Sequence, residues 1–349
     1  MADLDSEAIA RIDSSGQLAL ILELPTHLRD ALWRVESAGL RPIDAPGGLV
    51  VAGMGSSGIG GVLARAALGD RASRSIGWAR DYGLPSWATE QALVLCASYS
   101  GETEETLAAY EAAGAVGAPR IVVASGGRLA AQAREDGVPI IPVPGGMTAS
   151  RAVGYLFVAA LEVAALCGAG DSLRAEIDVA AALADELMAE WGPYGENDSL
   201  AKSLARDLHG TAPVIAGAGL TVPVAYRWKS EINIAAKVPS FANELPEMDH
   251  NEVVGWDGAL ERGSFSFVAL DDRDLHPRVR ARMGLTLKLI SEQSSGSHRL
   301  QTRGETRTAR VISMVALGDL VAMYLAVLRG VDPAAAPAID RLKRELASA

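Results

Sequence analysis

The sequence predicts an α/β fold that contains two doubly wound parallel sheets. Short apolar runs typical of buried strands alternate along the chain with helices of about ten residues or more, the pattern of right-handed β-α-β crossovers. The pattern also occurs twice, because residues 49–61 and residues 213–220 are both apolar runs that end in glycines before a helix. Two copies of one doubly wound unit are therefore expected.

Three segments are expected along the 349 residues, a length sufficient for two domains that each bury a core. Residues 1–45 are predicted to form an N-terminal helical segment. Residues 46–170 are predicted to form the first α/β domain. Residues 171–349 are predicted to hold a connecting helix, the second domain and a C-terminal helix, with further strands at 265–270 and 308–313.

The composition excludes several classes of partner. A net charge of -11 leaves no basic stripe for nucleic acid, although one local cluster of donors suffices for a small phosphorylated ligand. Cys96 and Cys167 lie in apolar segments without metal-ligand spacing, and both are expected in the core. The N-terminus is acidic and no apolar run of transmembrane length is evident, so a cytoplasmic protein without a membrane partner is expected.

A hydroxyl-rich turn follows the apolar run at residues 93–97. This turn carries Ser98, Ser100 and Thr103, and an acidic helix start comes directly after it. Backbone N–H groups at such a turn, together with the hydroxyls, can hold an anion such as a phosphate. The same residues also suit an ordinary helix cap, with Ser100 or Thr103 as the N-cap and nothing bound.

A glycine-rich turn at residues 53–58 follows the first strand and spells G-x-G-x-x-G. Three interpretations are open: a phosphate site built on Gly55, Ser56 and Ser57, close packing of the helix on the strand, and a dinucleotide site in an oxidoreductase that binds NAD. The serine pair argues against a dinucleotide, and Asp81 lies well beyond the usual spacing for a ribose-binding acid. The carboxyl ends of parallel strands meet at one edge, so this turn and the turn at 98–103 are expected to share that edge.

Arg151 is a positive charge at the start of an otherwise apolar helix. The positive end of the helix dipole disfavours a cation there. Arg151 therefore requires a partner, which is either a carboxylate in a structural salt bridge or a bound anion.

The second half of the chain has a histidine among acids. A helix stopped by Pro239 precedes a loop at residues 244–256, in which His250 stands between Asp249 and Asn251. A neighbouring carboxylate can hold the tautomer of a histidine and shift its pKa, whereas the plainer interpretation is an exposed loop histidine. The other four histidines, at positions 27, 209, 276 and 298, are expected at the surface.

Three segments together resemble the bifunctional phosphoglucose/phosphomannose isomerase family. They are Gly-Met-Gly-Ser-Ser-Gly-Ile-Gly-Gly at 53–61, Ser-Tyr-Ser-Gly-Glu-Thr-Glu-Glu-Thr at 98–106 and Asp-His-Asn-Glu-Val-Val-Gly-Trp at 249–256, within a resemblance that runs from about Val50 to the C-terminus. The resemblance implies two sugar isomerase (SIS) domains of flavodoxin-like type. It also implies interconversion of glucose 6-phosphate or mannose 6-phosphate with fructose 6-phosphate through a cis-enediol, in glycolysis and gluconeogenesis, without metal or cofactor.

The resemblance also assigns site residues. The substrate phosphate is expected at Gly55, Ser56, Ser57, Ser98, Ser100 and Thr103, of which Ser57 and the last three match phosphate-binding positions of the family. Arg151 matches the arginine that stabilises the enediolate. His250 matches the histidine that opens the sugar ring and that reaches the site from the other subunit of a homodimer, and Lys343 matches the lysine that assists it.

The general base is where the chain departs from the family. The family pattern is close to Asn-Glu-Asn-Ala-Lys, and aligning Asn233 and Lys237 puts Ile234 at the position of the base glutamate. An isoleucine cannot accept a proton. Glu231, three residues earlier on the same helix face, is the candidate replacement, although a shift of one turn is about 5 Å. The alternative is a non-catalytic or weakened sugar-phosphate-binding protein. A smaller departure is Ser150, where the family often has proline.

Overall fold

A computed structural model describes residues 4–346 and residue 348, so the first three residues of the acidic N-terminal stretch lie outside it. The chain begins with three helices, α1 (Ser6–Ile12), α2 (Gln17–Leu22) and α3 (Leu24–Ser37). Asp5 caps α1, because its Oδ1 accepts a hydrogen bond of 2.7 Å from the Ala8 N–H.

The first sheet has five parallel strands in the order β2-β1-β3-β4-β5. Its strands are β1 (Leu49–Ala52), β2 (Ile76–Ala79), β3 (Leu93–Ala97), β4 (Arg120–Ala124) and β5 (Ile140–Pro142). Its helices are α4 (Gly55–Leu68), α5 (Glu104–Ala115), α6 (Gly127–Glu135) and α7 (Val153–Leu166). This is the flavodoxin-like strand order, so the predicted fold class is confirmed.

The second sheet has four parallel strands in the order β7-β6-β8-β9, the same order with the last strand missing. Its strands are β6 (Ala212–Ala218), β7 (Phe241–Leu245), β8 (Phe265–Asp271) and β9 (Gly296–Gln301). The helices of this half are α8 (Arg174–Trp191), α9 (Leu200–Leu208), α10 (Val222–Glu231), α11 (Ala259–Arg262), α12 (Pro277–Ser291), α13 (Arg307–Arg329) and α14 (Pro337–Leu346).

The strand predicted at 308–313 is wrong, because these residues form the start of α13. Thr306 caps this helix, since its hydroxyl accepts a 3.1 Å hydrogen bond from the Ala309 N–H. Residues 311–312, Val-Ile, are β-branched and favour a strand locally, but burial of the whole apolar length against neighbouring helices outweighs that preference.

Helix α13 is the centre of the core. By length and composition it could cross a membrane, with a mean hydropathy of 2.2, which corrects the expectation that no run reaches that length. However, 94% of its most apolar window is buried inside the protein, where it packs against α8, α9 and α10. Its apolar surface is therefore already covered by other parts of the chain.

Two expectations about single side chains have different outcomes. Cys96 and Cys167 are buried free thiols, as predicted. His27 was expected at the surface and is instead only 4% exposed, with its ring centroid 5.1 Å from that of Tyr155. Burial lowers the pKa of His27, because the charged imidazolium loses its water.

Candidate functional site

The two hydroxyl-rich turns meet at the carboxyl edge of the first sheet. Strands β1 and β3 are direct neighbours, with Ala52 paired to Cys96, and each leads through its turn into a helix. The Tyr99 N–H of one turn donates a 3.1 Å hydrogen bond to Ser57 Oγ of the other. The expectation that the turns share one edge is therefore confirmed.

Neither helix that leaves these turns has its first turn capped by a side chain among residues 4–346. Thr103 is the N-cap residue of α5, but its Oγ1 lies 3.1 Å from Ser98 Oγ, which donates to it. Ser98 Oγ also accepts from the Gly101 N–H at 3.1 Å, and Ser100 Oγ accepts from the Glu102 N–H at 3.2 Å. The hydroxyls thus shape the turn, and the first N–H groups of both helices remain suited to an anion.

Close packing explains the glycine pattern without a dinucleotide. A Cβ on Gly58 would lie 2.2 Å from the Gly53 carbonyl oxygen, and a Cβ on Gly53 would lie 2.6 Å from the Ala97 carbonyl oxygen. Both distances are far inside van der Waals contact, so the start of α4 can approach β1 and β3 only with glycine at these positions. Gly55 has a φ of 50°, a backbone conformation that residues with a side chain rarely adopt.

A buried cluster of four charged residues lies next to these turns. Glu231 at the end of α10 is ion-paired with Arg151, which precedes α7, and lies 3.4 Å from an Nη of Arg227. Asp319 of α13 accepts from Arg227 Nη2 at 2.7 Å and lies 3.4 Å from Arg151 Nη1. All four side chains are at most 5% exposed. The salt-bridge partner that Arg151 requires is therefore present within the chain.

Ser150 joins this cluster to the glycine-rich turn. Its Oγ lies 3.2 Å from Ser56 Oγ, and its carbonyl oxygen accepts a 3.0 Å hydrogen bond from Arg227 Nη2. The Ser56 hydroxyl of the glycine-rich turn and the Arg227 guanidinium of the second half are thus linked through one residue. The predicted residues Ser56, Arg151 and Glu231 belong to a single continuous network.

The cluster keeps the Glu231 carboxylate charged. Burial alone raises the pKa of Glu231, but the guanidiniums of Arg227 and Arg151 outweigh burial and lower that pKa below its usual value. Asp319 has its pKa raised, chiefly by burial. A carboxylate with a lowered pKa is a weak proton acceptor, and Glu231 is also 0% exposed. Two donors of the cluster, Arg151 Nε and Arg227 Nη1, are buried and have no hydrogen-bond partner among the described residues.

The segment after Glu231 is a π-helical turn, Ile232–Ala236. Wide turns of this type occur often at functional sites, where they change the direction of side chains. Ile234 in this turn is partly exposed, whereas Glu231 is completely buried. The position aligned with the base of the family and its candidate replacement therefore have different environments.

The two predicted ring-opening residues lie elsewhere on the surface. His250 is exposed in a short 3-10 turn after β7, and Lys343 is exposed on α14, whose ten residues are all exposed. The acid beside His250 does not face it, because Asp249 accepts a 2.7 Å hydrogen bond from Thr286 Oγ1 and pairs with Arg282 at 3.5 Å. In residues 4–346, neither His250 nor Lys343 is hydrogen-bonded to the turns or the cluster. Within one chain the structure does not bring them together.

Sequence reasoning missed two members of this network, Arg227 and Asp319, and it noted Ser150 only as a departure from the family pattern. One signal was available for Asp319, since it is the sole charged residue in the apolar stretch 311–328. An isolated acid in such a stretch has to be paired when the helix is buried. Arg227 lies next to a tryptophan on a mixed helix, and nothing in its local pattern marks it.

Comparisons with known proteins identify the family. A model of the bacterial phospho-glucose isomerase C-terminal SIS domain matches residues 197–346. The chain is 37% identical over 302 residues to the bifunctional phosphoglucose/phosphomannose isomerase of Caldicellulosiruptor bescii, covering 86% of this chain and 89% of that one. It is 34% identical over 300 residues to the protein of the same name from Aquifex aeolicus, covering 86% and 90%.

Solved structures share the fold at low identity. A hypothetical protein from Thermus thermophilus superposes with a TM-score of 0.76 at 16% identity, covering 98% of this chain and 93% of that chain. A glucose-6-phosphate isomerase like protein from the same organism superposes with a TM-score of 0.63 at 20% identity, covering 99% of each chain. The similarity to these solved structures supports the fold, and the identity to the two sequence relatives supports membership of their family. The chain belongs to the family of bifunctional phosphoglucose/phosphomannose isomerases.

Proposed function

We propose that the protein interconverts glucose 6-phosphate, and also mannose 6-phosphate, with fructose 6-phosphate through a cis-enediol. The observation that carries this proposal is the hydrogen bond from the Tyr99 N–H to Ser57 Oγ, which unites two uncapped helix starts at one sheet edge. Such a pair of helix starts suits the dianionic phosphate of a sugar phosphate. The relatives at 37% and 34% identity are both named for this pair of activities.

In the proposed site the phosphate contacts the N–H group of Gly55 and the hydroxyls of the two turns. The hydroxyls free to donate to it are those of Ser56, Ser57, Ser100 and Thr103, whereas the buried Ser98 hydroxyl donates to Thr103 Oγ1 and so positions that residue. Anchoring the phosphate fixes the distance from C6 to the reacting carbons, so the substrate enters the reaction already oriented. Ser56 is linked through Ser150 to the charged cluster. In the proposed site, the sugar therefore extends from the anchored phosphate toward that cluster.

The proposed reaction begins when His250, reaching in from a second subunit of a homodimer, and Lys343 open the sugar ring. A base then takes the C2 proton of the aldose, a C1–C2 double bond forms, and the C1 carbonyl oxygen becomes an enediolate oxygen. The guanidinium of Arg151 stabilises that negative charge. The proton of the C2 hydroxyl passes to O1, and return of a proton from the base to C1 leaves a carbonyl at C2, which is the ketose. The proposed location of this chemistry is the cytoplasm.

Glu231 is the base in this proposal. Its carboxylate is bonded to Arg151, so the proton acceptor and the charge-stabilising group would stand side by side. To act, Glu231 has to exchange a guanidinium contact for the substrate carbon, because a base needs hydrogen-bond reach to the proton it takes. Arg151 is freed for the enediolate by the same exchange.

A second candidate function is binding of sugar phosphate without turnover, as a sensor or regulator. The observation that favours it is the complete burial of Glu231 between two guanidiniums, together with isoleucine at position 234. A carboxylate held in that way stays charged and out of reach of a substrate carbon. The phosphate-binding turns are equally compatible with this function.

A coupled assay separates the two candidates. Production of glucose 6-phosphate from fructose 6-phosphate is measured for the wild type, Glu231→Gln and Ile234→Glu, with binding of fructose 6-phosphate measured in parallel by calorimetry. The isomerase proposal expects wild-type turnover that falls by about a hundredfold or more in Glu231→Gln, the size typical of losing a general base. Turnover that arises only in Ile234→Glu, while all three proteins bind the sugar phosphate, would leave binding as the function.

A further inference from the structure

A second concave surface lies along α4, lined by Ile59, Val62 and Arg65 but by no residue of the turns at 53–58 and 98–103. It is a cleft of about 1670 Å³ between the edge strand β2 and the start of α10. Three exposed aromatic side chains line it, Trp78, Trp87 and Tyr226. Aromatic residues make up only 5% of the chain, so three solvent-exposed aromatic side chains in one cleft are a notable concentration. Concave surfaces with exposed aromatic rings are typical of ligand sites.

The rings of this aromatic cleft come from different parts of the fold. Trp78 belongs to β2 and Tyr226 to α10, so the two sides of the cleft belong to different halves of the chain. Trp87 lies against the backbone of Gly77, where an added Cβ would be 2.6 Å from the indole ring. Because the strand backbone supports this ring, it is available for stacking without prior ordering.

Two arginines hold unpaired charge in the same cleft. The Arg65 guanidinium lies 5.4 Å from the centroid of Trp78, and the Arg80 guanidinium lies 5.7 Å from Trp78 and 5.3 Å from Tyr226. In the part of the chain that the structure describes, neither guanidinium has a carboxylate within 4.0 Å. Stacking on an aromatic face orients a guanidinium but leaves its charge and its N–H donors for another partner.

The remaining charges of the lining favour an anion as that partner. Arg307 also lines the cleft, as does Arg74, which is paired with Asp44 at 2.7 Å, and Glu244 is the one acid among the lining residues. A surplus of guanidiniums is unusual in a chain with a net charge of -11. Arginine is well suited to phosphate, because its planar fork of N–H groups matches the spacing of two phosphate oxygens.

We propose that this aromatic cleft binds a nucleoside phosphate. The base would stack on the indole rings, and the phosphates would accept hydrogen bonds from Arg65 and Arg80. A neutral sugar would make no use of the unpaired guanidiniums, and inorganic phosphate would make no use of the aromatic rings. The residues of the two phosphate-binding turns do not line this cleft, so it is separate from the proposed isomerase site.

The test is a calorimetric titration with ATP, with tripolyphosphate and with adenosine, accompanied by tryptophan fluorescence. ATP is expected to bind saturably and more tightly than either fragment. Arg80→Gln and Trp87→Ala are each expected to weaken ATP binding by about fivefold or more, the size of one lost stacking or charged contact. Trp33→Ala is the matched control, because Trp33 is an exposed indole on α3 with the Arg34 guanidinium 5.9 Å from its ring. This control is expected to leave ATP binding unchanged.

Several results would overturn the proposal. The first is a failure of ATP to bind saturably at millimolar concentration. The second is equal affinity for ATP in all variants, and the third is displacement of ATP by fructose 6-phosphate. Dissociation of a dimer in Arg80→Gln, seen by sedimentation velocity, would show that a second copy of the chain fills the cleft. If Trp87→Ala fails to fold, Arg80→Gln carries the test, since the exposed Arg80 side chain supports no ion pair in residues 4–346.

Discussion

Arg151 and Glu231 form an ion pair that is almost sealed from solvent and that joins the two halves of the chain. Arg151 lies between the first sheet and α7, Glu231 ends α10 beside the second sheet, and their side chains are 5% and 0% exposed. The pair is bonded onward to Arg227 and Asp319. The same four residues therefore hold the domains together and border the proposed sugar site.

Removal of one member of this cluster is expected to destabilise the protein strongly. Glu231→Ala leaves Arg151 and Arg227 facing only Asp319, and breaking a buried pair in this way costs about 3–5 kcal/mol of unfolding free energy. Urea unfolding followed by circular dichroism measures the loss. Glu345→Ala is the control, because Glu345 is exposed and its pair with Arg341 contributes little. An unchanged urea midpoint for Glu231→Ala would contradict the structural role of the pair.

The stability that Glu231 contributes is expected to depend on pH. Its pKa is lowered in the folded protein, so the folded state binds fewer protons than the unfolded state and stability rises with pH. The advantage of the wild type over Glu231→Gln should be complete above pH 4.5, the ordinary value, and should shrink as pH falls through the lowered pKa. Urea midpoints of both proteins across this window give the comparison. An advantage that grows toward acid would reverse the predicted sign.

Ser98→Ala is expected to weaken the binding of fructose 6-phosphate. Ser98 is 0% exposed, and its hydroxyl links the Gly101 N–H to Thr103 Oγ1, so its loss removes both hydrogen bonds and loosens the turn, while the Gly101 N–H keeps its 3.1 Å bond to the Ser98 carbonyl oxygen. We expect affinity to fall by about tenfold, since each lost hydrogen bond costs about 0.5–1.5 kcal/mol. Calorimetry with fructose 6-phosphate measures this change. The exposed Ser14 provides the control Ser14→Ala, and equal affinities for the two variants would show that Ser98 does not support the proposed phosphate site.

Gly101→Ala is expected to damage the same turn through its backbone. Gly101 has a φ of 70°, and an added Cβ would lie 1.9 Å from the Gly126 carbonyl oxygen. The turn has to move, so we expect weaker binding of fructose 6-phosphate and a lower melting temperature. Gly126→Ala is the matched control across that contact, because nothing lies within 4 Å of its added Cβ. Comparable melting temperatures for both variants would show that the turn tolerates the shift.

The fold was largely predictable because its central strands are apolar and local. β1 and β3 are continuous apolar runs before helices, and such runs identify buried parallel strands directly. The edge strands β7 and β9 were missed, since their sequences, Phe-Ala-Asn-Glu-Leu and Gly-Ser-His-Arg-Leu-Gln, carry polar residues on a half-exposed edge. Pairing with a neighbour, which no local pattern encodes, determines these strands.

In the candidate site, too, local features were predictable from the sequence and long-range pairings were not. Ser98, Ser100 and Thr103 lie close together in the sequence, so their joint role in one turn could be predicted. The charged cluster was not visible, because Arg151 is 80 residues from Glu231 and 168 from Asp319, and Arg227 is 92 residues from Asp319. Only the fold brings such distant residues together. The Arg151 salt bridge was one of two interpretations left open, and the structure supplies its partner.

The most direct test of the account is incubation of the wild-type protein with fructose 6-phosphate in deuterium oxide, followed by proton NMR. A cis-enediol exposes the transferred proton to exchange with solvent, so glucose 6-phosphate should form and deuterium should enter at its C2. Mannose 6-phosphate should form with the same label. Glu231→Gln should leave the substrate unlabelled over the same time. Fructose 6-phosphate that binds to the wild type but remains unlabelled and unconverted would contradict the proposed isomerase.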